Sequence, residues 1–167
     1  NEKAKTAELC RELENSVMLS PAFDSLVKVS MGLPNFFRSK VLLVAGRCYS
    51  TKVEQMQQAR IYLREAYRIA PRDVKNLVAL ELTRLYGSLI LRDSCVEEAI
   101  RFISRVPSKV VFTREEEAKF YYLGACFFKS IDIDRAFRAV DQALSLYRGL
   151  SDTEGEIEAY RLKATLY

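Results

Sequence analysis

Four cysteines, Cys10, Cys48, Cys95 and Cys126, and the acidic pair Asp132 and Asp134 are the first residues to examine for metal binding or nucleophilic chemistry. A thiol becomes a nucleophile when a base takes its proton, and it clasps zinc when a second thiol or an imidazole stands close by. The chain contains no histidine, and its cysteines lie far apart with no CxxC pair. The commonest general base and metal ligand are therefore missing, and the expected state of the cysteines is reduced, buried thiol. Asp132-Ile133-Asp134 lacks the loop length, central Gly and distal Glu of a calcium site, so it reads as a turn followed by a helix cap. Glycines occur singly and form no phosphate-cradling loop. No catalytic residue, cofactor or metal is expected, and the chain does not read as an enzyme.

What the sequence has in abundance is packing material. The stretch FYYLGACFF, Phe120 to Phe128, puts five aromatic rings in nine positions. Pro and Gly are scarce, 4 and 6 of 167 residues, and apolar side chains recur every three or four residues, so the chain reads as all-α. Three segments repeat one helix: ARIYLREAYRIAP from Ala59, AIRFISRVP from Ala99, and AFRAVDQAL from Ala136. Each opens on Ala, with an apolar residue four later (Leu63, Ile103, Val140) and a small or branched one three after that (Ala66, Val106, Ala143). A second recurring helix precedes each copy: LLVAGRCY from Leu42, TRLYGSLI from Thr83 and FYYLGACF from Phe120. Every copy of it holds an interior glycine, Gly46, Gly87 or Gly124, where Gly costs about 0.5–1 kcal/mol relative to Ala. Close approach of a neighbouring helix is expected to offset that cost. Cys48 and Cys126, each two residues past its glycine, are then packing residues.

This pattern resembles the tetratricopeptide repeats, whose signature is a bulky residue, Leu-Gly, an aromatic, then Ala, Phe, Ala and Pro over about 34 residues. Phe120, Leu123, Gly124, Phe127, Ala136, Val140 and Ala143 match it without a closing Pro, and Leu42, Ala45, Gly46, Tyr49, Ala59, Leu63, Ala66 and Pro71 match it with one extra residue in the turn. The middle copy keeps Gly87, Ala99, Ile103 and Pro107 but has the polar Thr83 at the bulky position. Its first helix is lengthened towards Asp73, the expected N-cap. Leu9, Cys10, Leu13, Ala22, Leu26, Val29 and Pro34 form a degenerate copy, and Tyr160, Ala164 and Tyr167 are placed like the first helix of another. The resemblance implies one domain, a right-handed α-solenoid of antiparallel helix pairs with about nine helices. Its parts are a degenerate repeat over 3–36, repeats over 39–73, 74–113 and 117–150, and a terminal helix over 152–167. The half-tetratricopeptide repeats of RNA-processing proteins contain similar segments but usually carry a Trp, which this chain lacks.

In the tetratricopeptide family the first helices of successive pairs line a concave groove. Carried over position by position, that assignment selects Arg11 and Asn15, then Lys40, Leu43, Arg47 and Thr51, then Glu81, Arg84, Ser88 and Arg92. It continues with Tyr121, Ala125, Phe128 and Lys129, and ends at Arg161. Basic side chains outnumber acidic ones, and Tyr121 with Phe128 adds an aromatic patch. Such a groove suits an extended or helical peptide that offers carboxylates to the Arg forks and an apolar anchor to the rings. The same residues also read as a solvated arginine face with the two rings packed on the neighbouring repeat. The clamp by which some members grip chaperone tails is absent, since Leu43, Arg47, Tyr121 and Ala125 stand at its positions.

The implied function is a non-catalytic protein–protein interaction module or scaffold segment, with a homodimer or packing into a larger complex as further partners. The alternative is RNA binding by a basic helical-repeat surface. With 26 basic and 22 acidic residues, a net charge of +4 argues against nucleic acid. No run of about 18 apolar residues and no signal-like start appears, so a soluble cytoplasmic protein is expected, with the nucleus also open. The chain begins at Asn1 rather than Met, and Tyr160 and Tyr167 would leave apolar surface exposed at its end, so a cut through a longer solenoid is the favoured expectation.

Overall fold

Helix starts are written locally in the sequence. Thr113 accepts a hydrogen bond from the backbone N–H of Glu116, whose carboxylate accepts one from the N–H of Thr113, at 3.2 and 3.0 Å. Glu115, Glu116 and Glu117 then place negative charge at the positive end of the helix dipole. Asp132 and Asp152 cap the next two helices by accepting from the N–H groups of Arg135 and Gly155, so the acidic turn is a helix cap as expected. A computed structural model describes residues 1–15, 21–89 and 95–167. Expectations for Ile90 and Arg92, and for the side chains of Leu13 and Ala22, lie outside these.

The described residues form an all-α fold with nine helices. They are α1 (Glu2–Asn15), α2 (Pro21–Val29), α3 (Asn35–Ser50), α4 (Met56–Ile69), α5 (Arg72–Leu89), α6 (Val96–Lys109), α7 (Arg114–Phe128), α8 (Ile133–Gly149) and α9 (Thr153–Thr165). Short 3-10 turns at Ser30–Gly32 and Val53–Gln55 precede α3 and α4. Asp73, expected as a cap, lies inside the first turn of α5 because that helix starts directly after Pro71. Pro107, expected at the close of a repeat, lies inside α6, which runs on to Lys109. The chain divides into two compact units, Asn1–Leu85 and Tyr86–Tyr167.

In the first unit α3 packs against α4 and α1. Ala45, Ala59 and Ala66 are wholly buried at this contact, with Leu63. Tyr49 of α3 and Tyr62 of α4 both donate to the carboxylate of Asp24 in α2, at 2.8 and 3.3 Å, tying three helices to one acceptor. Glu65 of α4 takes Arg68 at 2.7 Å and Arg38 of α3 at 3.2 Å. The bond from Arg68 holds the Glu65 carboxyl below its ordinary range. Thr83, the polar residue at a bulky position, is fully buried and gives its hydroxyl hydrogen to the Ala79 carbonyl at 2.7 Å, so its own helix satisfies it.

In the second unit α7 packs against α8, and α8 against α9. Ala118, Ala125, Phe127, Ala136, Val140 and Ala143 are wholly buried. Tyr86 is buried with its ring 5.6 Å from that of Phe102, and its hydroxyl donates to Glu98 at 2.9 Å. Tyr160 and Tyr167 of the last segment are exposed, as the sequence implied, although the Tyr167 ring meets Phe137 at 5.2 Å.

The glycine expectation holds at one position and fails at another. A Cβ on Gly46 would lie 2.5 Å from the Cγ of Leu63, so α4 packs directly on that backbone. A Cβ on Gly124 would meet nothing within 4 Å. The equivalent of Leu63 in α8 is Val140, one carbon shorter. At Gly87 the nearest atoms make ordinary contact.

Gly46→Ala should therefore destabilise the fold, because overpacking costs about 1–3 kcal/mol and the helix-propensity gain is only about 0.5–1 kcal/mol. Gly124→Ala should keep that gain unopposed. Urea denaturation followed by circular dichroism separates the two, and a larger loss in Gly124→Ala than in Gly46→Ala would contradict the packing described. A second prediction concerns alkali. Burial raises the hydroxyl pKa of Tyr49, Tyr62, Tyr67, Tyr121, Tyr122 and Tyr147 above the ordinary value, Tyr122 to about 12. A raised native pKa gives stability that is complete below the unfolded value of about 10 and is lost as pH climbs past it. Helical signal should thus be level from pH 7 to 9 and fall together with most of the tyrosinate absorbance above about pH 10; more tyrosinate than the exposed Tyr160 and Tyr167 can supply, appearing well before any loss of helix, would contradict it.

Candidate functional site

The second unit holds an apolar cleft of about 480 Å³ between α6, α7 and α8, within the range of about 300–1,000 Å³ common for ligand sites. Its floor is one face of α7: Phe120, Tyr121, Gly124 and Phe128, spaced three and four residues apart. Ile103 and Pro107 of α6 form one wall, and Ala139 of α8 the other. Gly124, itself buried, brings no side chain to this floor, and no neighbouring atom lies within 4 Å of where its Cβ would be.

The rim is charged and comes from α8. Arg135 lies with its guanidinium 5.4 Å from the centre of the Phe128 ring and 3.3 Å from Asp132, a position that joins cation–π attraction to an ion pair. Arg138 also lines the cleft, and its side chain has no ion-pair partner among the described residues. Asp141 is the one carboxylate on the lining, and Lys163 of α9 holds it at 2.7 Å.

The residues selected from the sequence are distributed as follows. Tyr121 and Phe128 come together on the cleft floor, Tyr121 half-buried and Phe128 only 6% exposed. Their neighbours there are second-helix residues of α6 and α8 as well as Phe120 and Gly124. Leu43 and Ala125 are buried. In the first unit Arg47 and Arg84 both reach Glu81, at 3.3 and 3.8 Å, so one carboxylate offsets part of their charge. Lys40 is exposed on α3 with its ammonium 4.3 Å from the Phe36 ring centre. Arg11 on α1, Lys129 at the end of α7 and Arg161 on α9 are exposed. Arg135 and Arg138 escape a reading centred on first helices. Their signal is the α8 face 135, 138, 139 and 142, which lies beside the buried face of Ala136, Val140 and Ala143.

A second cleft, about 350 Å³ between α8 and α9, is polar, and its charges are satisfied internally. Lys163 pairs with Asp141, and Arg148 pairs with Glu156 at 2.7 Å while lying over the Tyr160 ring. All four cysteines are half-buried rather than fully buried. Burial raises the pKa of the Cys126 thiol, the reverse of what a reactive thiolate requires. Among the described residues no three Cys, Asp or Glu side chains converge as a metal site, and no helix is long and apolar enough to cross a membrane.

Cys126 should accordingly react with iodoacetamide at pH 8 more slowly in the native chain than in urea, as read by mass spectrometry of the labelled peptide; equal rates would mean that its burial does not protect it. In comparisons with protein-family models, with curated proteins and with solved structures, nothing matches this chain.

Proposed function

We propose that the chain is a non-catalytic interaction module that binds a peptide segment of a protein partner. The cleft of α6, α7 and α8 is the observation that supports this reading. It combines an aromatic floor with two guanidinium groups on the rim, and interfaces draw most of their affinity from such aromatic pockets and Arg forks. The tetratricopeptide resemblance supports the same class of function, with the cleft rather than a first-helix groove as the leading contact surface. Arg47 and Arg84, partly offset by Glu81, form a second basic patch that a larger partner or scaffold contact could use.

Panning the immobilised chain against a random peptide display library, alongside anisotropy titration of a mixed-sequence single-stranded RNA, tests this directly. Enriched peptides that keep most of their affinity between 50 and 200 mM salt are expected, because burial of apolar surface is little screened. Tyr121→Ala should weaken the enriched peptides by about tenfold, a shift of about 1.4 kcal/mol. Failure to enrich any peptide, with RNA binding that falls steeply with salt as phosphate neutralisation requires, would overturn the proposal.

A further inference from the structure

Gly124 occupies the centre of the cleft floor, and the space above it is open. Ile103, Pro107 and Ala139 give that space aliphatic walls. Charge on the rim is unbalanced. Asp132 engages Arg135 and Lys163 engages Asp141, while Arg138 is left over.

We infer that the part of the cleft over Gly124 is a socket for one leucine-sized side chain of an acidic peptide, with a neighbouring carboxylate on Arg138. This rests on the reading of the chain as an interaction module and names the chemistry of its partner. The apolar lining favours taking an aliphatic side chain out of water. The free guanidinium offers a carboxylate two parallel hydrogen bonds. Gly124 is then the specificity-determining residue, since any side chain there would occupy the space the ligand needs.

The probe is an acetylated, amidated hexapeptide with one leucine among glutamates, titrated into the ¹⁵N-labelled chain and followed by amide chemical shifts. Saturable shifts centred on Gly124, Ala139 and Ile103 are expected. Replacing the peptide leucine by alanine should weaken binding by about tenfold, and replacing its glutamates by glutamines should weaken it as well. Gly124→Leu should abolish the shifts while helicity is retained. Ala139→Met, which narrows the cleft from the opposite wall, carries the same test should Gly124→Leu not fold. Absence of saturable shifts with the hexapeptide overturns the inference. Binding that survives either filled-cleft variant also overturns the socket, but it leaves the interaction function standing. Shifts at these amides produced by a mixed-sequence single-stranded RNA and not by the peptide would overturn both.

Discussion

Helices in this chain approach one another where side chains stop at Cβ. Ala45, Ala59 and Ala66 in the first unit, and Ala118, Ala125, Ala136 and Ala143 in the second, have no exposed surface. Around each such contact the larger residues, Leu63, Phe127 and Val140, fill the flanking space and are wholly buried too. Adding even one methylene to such a contact forces neighbours off their rotamers. The small residues therefore fix which faces meet, and the charged residues of each helix are left to the outside.

The cleft is the place where this economy is incomplete. Gly46 and Gly124 occupy the same point in their helices, yet Leu63 lies against the first and no atom lies within 4 Å of a Cβ built on the second. A glycine retained in a helix interior without a close neighbour forfeits propensity for no packing return. Functional sites are where such local inconsistencies are expected. Here it opens aromatic and aliphatic surface beside two arginines. The polar cleft of α8 and α9 makes the contrast, because its charged groups already have partners and leave little for a ligand to satisfy.

The helices were legible in the sequence because their apolar residues keep a three- and four-residue period and their caps are short-range. Asp132 capping α8 follows from residue type and position alone. Buried contacts were legible where both partners obey the repeat pattern, as Gly46 and Leu63 do. The cleft was not. It depends on how α6, α7 and α8 are spaced, which a repeat signature does not specify. For the same reason Arg135 and Arg138 were overlooked: the pattern directs attention to the first helix of each pair, and these residues lie on a second helix. Tyr121 and Phe128 were selected through the resemblance, by their positions in a first helix, and the cleft joins them to Phe120 and Gly124.

A crystal structure of Gly124→Leu tests this account most directly. If the space over residue 124 is open, the leucine side chain will lie in the cleft against Ile103 and Ala139, with the backbones of α6, α7 and α8 superposing on those of the wild-type chain. Displacement of α6 or α8 away from α7 would show that the glycine is a close-packing position after all and would contradict the account.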